Sequence, residues 1–164
     1  MTPLQLELLT ILRKDCRIPL EQLAVMCGVS LEQVAQAIDD LEKSNILLRY
    51  MPVINWDKTD KSFVEAMIEV KVTPTKEKGF DAMAARICQY EEVKSLYLMS
   101  GQYDLLLLVE AGDLKSLALF VSEKLSTFES VISTATSFVL KRYKSEGVIF
   151  EDPNKEDDRL VVSP

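Results

Sequence analysis

Apolar residues recur along this chain with two periods, and the change of period separates two regions. From Leu4 to Leu41 the spacing is helical. Leu4, Leu8, Ile11 and Leu12, with Leu9 beside them, share one face of a helix over residues 2–14. Thr2 caps it, Pro3 suits the first helical position, and Gln5 completes a capping box. Asp15 to Pro19 is a break. A shorter helix, about Leu20–Cys27, turns Leu20, Leu23 and Ala24 inward and stops at Gly28, where a left-handed residue is needed. Ser30 caps a third helix, with Gln33 three residues on as a second capping box. There Leu31, Val34, Ile38 and Leu41 point in, flanked by Ala35 and Ala37, and Asn45 replaces glycine as the stop. Helix, short helix, glycine-containing turn and capped helix make a helix-turn-helix unit. Ile46–Val53 is rich in strand formers and broken at Pro52, which predicts a two-stranded wing.

After a polar stretch, residues 55–62, the period falls to two. Phe63–Val72 alternates, with Val64, Ala66, Ile68, Val70 and Val72 on one face. Thr73-Pro74-Thr75 ends that strand, and a helix over about Lys78–Tyr90 turns Phe80, Met83, Ala84, Ile87 and Cys88 to one side. Two apolar runs within Val93–Ala111, joined at Ser100-Gly101-Gln102, predict a central hairpin; a helix there would hold glycine at its centre, at a cost of about 1 kcal/mol. Leu114–Leu125 is the next helix, with Leu114, Leu117, Ala118, Val121 and Leu125 inward, and Val131–Leu140 is the last long strand. Strand, helix, strand, strand, helix, strand is the ferredoxin-like order. The fold class is therefore α+β: a winged helix-turn-helix domain at 1–54, a linker at 55–62, a ferredoxin-like domain at 63–142, and an acidic tail at 143–164. Only Val148-Ile149-Phe150 and Leu160-Val161-Val162 give that tail apolar patches able to dock. Two helices cover one face of the second domain's sheet only, which predicts a homodimer or larger assembly.

Composition then removes most chemistry. The 164 residues include no histidine, so imidazole acid–base catalysis and the commonest metal ligand are both absent. Three cysteines, Cys16, Cys27 and Cys88, lack metal-site spacing and read as buried free thiols. Neither a phosphate-binding glycine loop nor a nucleophile elbow occurs. Asp152, Glu156, Asp157 and Asp158 read as solvated tail and not as a cation site. No enzyme activity, cofactor or metal is expected. No apolar run reaches the roughly 18 residues of a membrane span, and the N-terminus has no signal-peptide core, so the expected compartment is the cytoplasm.

Four stretches in fixed order carry a resemblance: Leu23-Ala24 before Gly28-Val29-Ser30; Arg49–Asn55 ending in Val-Ile-Asn; Met99 to Asp104; and Val131–Val139 with Thr134 and Thr136. In these the chain resembles the Lrp/AsnC family of transcriptional regulators, from Thr2 to about Leu140. The resemblance implies a DNA-binding first domain and a second domain that dimerises through its sheet. Dimers of the family often build larger assemblies. It also implies an effector, commonly an amino acid, bound between second domains near the Gly-x-aromatic-Asp loop. That loop is Gly101, Gln102, Tyr103 and Asp104, preceded by Ser100, and Thr134 and Thr136 match positions near the pocket. Siroheme decarboxylases share the domain order but are expected to use histidine, which this chain lacks.

The residues add their own reading of the effector loop. Gly101 is placed at a sharp turn, where its missing side chain also lets a ligand approach the backbone. Backbone N–H groups around Ser100–Gln102 suit a ligand carboxylate. Asp104 is a lone carboxylate at the mouth of an apolar strand, which needs a ligand ammonium, a lysine or a backbone N–H as partner.

The DNA side is unusual in charge. The net charge is −7, and the third helix turns out Glu32, Gln33, Gln36, Asp39, Asp40 and Lys43 where the family carries several cations. Ser30, Glu32, Gln33, Gln36, Lys43 and Arg49 are the candidate DNA contacts: glutamines suit adenine, and Glu32 can accept from cytosine. Few cations mean few phosphate contacts and a weak electrostatic contribution. Two readings stay open: oligomers that bind DNA through many weak heads, or a winged domain kept as a protein-contact module.

Overall fold

The computed structural model describes residues 1–73 and 80–150. The chain divides into two compact units, the first Met1–Val53 and the second beginning at Ile54.

The first unit holds three helices: α1 (Pro3–Leu12), α2 (Leu20–Cys27) and α3 (Leu31–Lys43). Both capping boxes form: the Thr2 and Ser30 side chains accept from the N–H groups of Gln5 and Gln33, whose amide oxygens accept in return. Gly28 closes α2 at φ +66°, and Asn45 follows α3 at φ +55°, so both left-handed stops stand where the chain asks for them. Leu8, Leu12, Leu23, Ala24, Val34 and Ala37 fill one core, and Leu41 is buried as well. Leu20 and Leu31, expected inward, are exposed. Each is the first residue of its helix, beyond the reach of the neighbouring helices. The expected wing does not pair: residues 46–53 form no strand. The N–H groups of Ile46 and Leu47 both bond back to the Leu41 carbonyl, and Pro52 has no N–H to give a ladder.

The second unit opens with a 3₁₀ turn, Trp56–Lys58, inside the stretch expected to be a bare linker. Trp56 meets Phe63 edge to face, and the Lys61 ammonium lies 4.5 Å from the indole centroid. Then follow β1 (Val64–Val72), α4 (Asp81–Ile87), β2 (Val93–Leu98), β3 (Leu105–Ala111), α5 (Leu114–Leu119) and β4 (Val131–Phe138). The sheet is antiparallel in the order β2-β3-β1-β4. Ile68, Val70 and Val72 of β1 and Leu105, Leu107 and Val109 of β3 meet Met83, Ile87, Phe120, Leu125 and Phe128 in its core. Helix α4 is shorter than expected; its expected start at Lys78 and the Pro74-Thr75 stop lie outside the described residues. Cys88 caps α4 and is exposed, while Cys16 and Cys27 are half-buried, so none of the three is the sealed thiol expected. Burial still pushes the Cys27 thiol pKa up, and Glu7 pushes the same way.

Helix α5 differs in a telling way. It runs into a π turn, Phe120–Leu125, which adds a residue to one turn and shifts the inward stripe to Leu117, Phe120 and Leu125. Leu114, the first residue of α5, and Ala118, both expected inward, are exposed. After β4 the chain forms a small hairpin, β5 (Lys144–Ser145) with β6 (Val148–Ile149), turning on Glu146 and Gly147, both at positive φ. Arg142 forms an ion pair with Glu65 and faces the Phe150 ring, which ties this hairpin to the start of β1. The expected tail patch at 160–162 and the acidic residues 152–158 lie outside the described residues.

Candidate functional site

Two places hold the residues singled out in the sequence. The first is α3. At about 100° per residue, burial of Val34, Ala37 and Leu41 directs Glu32, Gln36, Asp39 and Lys43 to the opposite face, with Asp40 beside them. Little on this face is unengaged. Gln36 Nε2 donates to Asp40 Oδ1 at 2.8 Å, and Lys43 Nζ donates to Asp39 Oδ2 at 2.6 Å. Tyr50, on the unpaired segment after α3, donates its hydroxyl to Glu42 Oε1 at 3.0 Å. Its phenol pKa is raised, first by burial and then by that carboxylate. The Lys43 ammonium pKa is raised by its hydrogen bond to Asp39. Ser30 and Gln33 are joined in the capping box, so the Gln33 amide oxygen is already bound to the backbone. Glu32 and Arg49 are exposed. Sequence reasoning found the residues of this face but not their pairing, although the i, i+4 spacing of Gln36 with Asp40 and Asp39 with Lys43 signals it.

The second place is the end of the sheet where β1 leaves and β3 begins. The strands stop sooner than expected, so the connection runs over 99–104, with Tyr103 and Asp104 outside β3. Asp104 bridges this corner. Its N–H donates to the Val70 carbonyl at 3.0 Å, and its Oδ2 accepts the Val72 N–H at 2.9 Å. A side chain thus continues the β1–β3 ladder one step past its last backbone pair, Val70 with Leu105. The Met99 N–H donates to the Asp104 carbonyl at 2.8 Å, and Lys71 Nζ donates to the Gln102 carbonyl at 3.0 Å. Gly101 does not have the left-handed backbone that a glycine-only turn implies, but a side chain there would meet nothing within 4 Å. Ser100, Gly101 and Gln102 are exposed, and Tyr103 and Asp104 are half-buried. Thr134 lies opposite Val70 on the other side of β1, level with Leu105, and is half-buried; Thr136 lies opposite Ile68, level with Leu107, and is exposed. Two strand spacings, about 10 Å, therefore separate Thr134 from the Asp104 corner. The corner is polar, with main-chain groups and the Asp104 carboxylate gathered at it.

The opposite end of the sheet carries a cavity of about 380 Å³ between the 3₁₀ turn and the C-terminal hairpin, lined by Trp56, Lys61, Phe63, Glu65 and Phe150 among others. It includes none of the residues singled out in the sequence. No helix among the described residues is long and apolar enough to cross a membrane, and none of their acidic and cysteine side chains cluster as metal ligands would.

Comparison with known proteins decides what this arrangement belongs to. Residues 65–149 match the Lrp/AsnC ligand binding domain, and residues 1–47 match a winged helix-turn-helix DNA-binding domain. The chain belongs to the Lrp/AsnC family of transcriptional regulators. It is 46% identical over 165 aligned positions to the uncharacterized HTH-type transcriptional regulator YugG of Bacillus subtilis, covering 100% of this chain and 99% of that one. It is 31% identical to the HTH-type transcriptional regulator LrpA of Pyrococcus abyssi, over 84% of this chain and 94% of that one. Among solved structures, that of Escherichia coli AsnC superposes with a TM-score of 0.67 at 19% identity, over 88% of this chain and 95% of that one. The L-Met complex of the Neisseria meningitidis regulator NMB0573 superposes with a TM-score of 0.69 at 23% identity, over 88% and 93%. With its winged helix-turn-helix first unit and ligand-binding second unit, this member of the family is a DNA-binding transcriptional regulator. The family match assigns the first unit to DNA, although its wing segment carries no strand pair here.

Proposed function

We propose that this regulator binds a small effector such as an amino acid at the corner formed by residues 99–104 and works as a homodimer or larger assembly. The observation that carries the reading is Asp104: one carboxylate oxygen is held by the Val72 N–H, which leaves the other to face a ligand ammonium beside the open space at Gly101. Exposed N–H groups of Ser100–Gln102 suit the ligand carboxylate and Tyr103 edges the same corner, while Thr134 and Thr136 stand on β4 across β1, within reach only of the far end of a ligand. The L-Met held by the Neisseria regulator supports the ligand class.

Assembly is supported by the helix-free face of the sheet. There Met67 of β1 lies between Leu108 and Ser137, and Leu106 lies between Tyr97 and the carboxylate-bearing Glu69. Met67 and Tyr97 are each about half exposed, at 47% and 54%, in a patch where Ser133, Ala135 and Ser137 keep the surface low. A second copy seated on this face would remove those side chains from water. Residues 1–54 then act as the DNA head, through Ser30, Glu32, Gln33, Gln36, Lys43 and Arg49. Residues 55–62 connect to the sensing and dimerising part at 63–142, and 143–164 follow as the tail. The protein acts by binding and not by catalysis, in the cytoplasm.

A thermal-shift panel of the common amino acids tests the effector site. One or a few should raise the melting temperature at millimolar concentration, since a ligand at about 100 times its Kd adds about 2.7 kcal/mol. Asp104→Asn keeps an oxygen for the Val72 N–H but loses the charge; it should fold as the parent does and lose the shift. A silent panel, or a mutant that responds as the parent does, overturns the assignment.

A further inference from the structure

The pairing on α3 has a consequence for base recognition. A carboxylate only accepts hydrogen bonds, so the end of the Gln36 amide that faces Asp40 is its nitrogen, which fixes the amide oxygen on the side away from Asp40. Gln33 is fixed in the opposite sense, its oxygen bound to the Ser30 N–H and its nitrogen outward. The two glutamines, one turn apart, thus show different atoms to whatever meets the helix. A free glutamine amide rotates and accepts or donates as its partner requires. A fixed one does not.

We propose that Asp40 is a positioning residue for DNA readout, holding Gln36 oxygen-outward so that α3 selects a base with an amino group in the major groove. The proposal rests on reading α3 as the DNA-facing helix. In the major groove, adenine and cytosine offer amino donors at N6 and N4. Guanine and thymine offer acceptors, O6 with N7 and O4. An outward amide oxygen meets the first pair favourably and the second pair lone pair against lone pair. Asp39 acts alongside by neutralising Lys43, the cation of this stripe. The acidic face thereby lowers general attraction to phosphate while sharpening choice at one base. Gln33 is held by a backbone group that no substitution removes, so Asp40 is the lock that can be opened.

The test is selection of the full chain on a randomised duplex library at one fixed low salt concentration, followed by single-position variants of the best duplex. At the position whose preference Gln36→Ala erases, the parent should favour adenine or cytosine over guanine and thymine by about tenfold. Asp40→Ala should bind every duplex more tightly, because a negative charge is gone, yet discriminate at that position by no more than about threefold. Asp40→Glu keeps an acceptor in reach and should keep the preference. An Asp40→Ala protein that retains the parent's full preference, or a Gln36→Ala protein that loses preference nowhere, overturns the proposal while DNA binding stands. A parent that shifts no duplex at all overturns the DNA-facing reading of α3 together with it.

Discussion

The outward face of α3 and the helix-free face of the sheet are both surfaces without a partner inside the chain, and they are finished in opposite ways. On α3 every third or fourth residue is charged or amide-bearing, and the side chains bond to one another. On the sheet Met67, Leu106 and Leu108 form an apolar patch, with Glu69 between Leu106 and Ala135 and Lys71 opposite Ser133 at its end. A face of the first kind is at rest in water and gains little from being covered. The second is poorly at rest in water and gains by being covered, at about 25 cal/mol per Å² of apolar surface. Under the proposed function the contrast separates a lasting association from a conditional one: the sheet face would join copies, and α3 would engage and release.

The largest expected effect is on the sheet. Met67→Glu would bury a charge between Leu108 and Ser137, a cost on the order of 3–5 kcal/mol when unpaired, so self-association should weaken by on the order of 100-fold or more. Sedimentation at several concentrations reads it, and an unchanged mass would remove the distinction between the two faces. Next comes α3. Replacing both Asp39 and Asp40 by lysine should tighten binding to any duplex by about 10- to 100-fold at low salt and steepen the dependence on salt, as added phosphate contacts do. Equal affinity at low salt would mean that α3 is not the face turned to phosphate. A smaller effect sits in the turn that aims α3. Gly28→Ala places a side chain at φ +66°, and although the space around it is open, stability should fall by about 1–2 kcal/mol in a urea titration. The smallest is a pH effect in the second unit. The hydrogen bond from Lys124, the largest influence, holds the Glu92 carboxyl below its ordinary 4.5. A depressed carboxylate stabilises the fold fully above that ordinary value and loses its contribution as pH falls through the lowered one. Glu92→Gln should therefore flatten the loss of stability below pH 4.5 by under about 1 kcal/mol, since water screens a half-exposed pair.

Element order and caps were legible because they depend on residues near in sequence. Thr2 with Gln5, Ser30 with Gln33, Gly28 and Asn45 each act within a few positions, and each holds. The alternation of β1 is visible because one face of that strand is buried throughout. What was missed depends on distant residues or on a change of period. Leu20, Leu31 and Leu114 continue an apolar stripe past the point where anything packs on it. The 46–53 segment has strand-forming residues but no partner strand, and strand formation requires one. The C-terminal hairpin turns on Glu146-Gly147, a legible turn, yet Arg142 reaches Glu65 across most of the second unit to hold it, which no local pattern shows. At the corner formed by residues 99–104 the backbone was not legible: Gly101 does not take the left-handed turn expected of it. The Asp104 partner is the Val72 N–H, more than thirty positions earlier, so its role as an extension of the ladder could not be seen from its neighbours.

The π turn at Phe120–Leu125 makes the length of that segment a structural quantity in its own right. Phe120 and Leu125 both reach the core because the extra residue is taken up between them, and Phe128 follows in the same core. Removing one residue at Val121–Ser122 would leave a more regular helix with a better hydrogen-bond ladder. The turn itself would take up the loss, so Leu125 and Phe128 keep their places in the core and β4 still starts with Val131 opposite Val72. A single deletion is therefore absorbed here, whereas the same deletion within the regular turns of Leu114–Leu119 would turn Leu117 by about 100° against the residues before it.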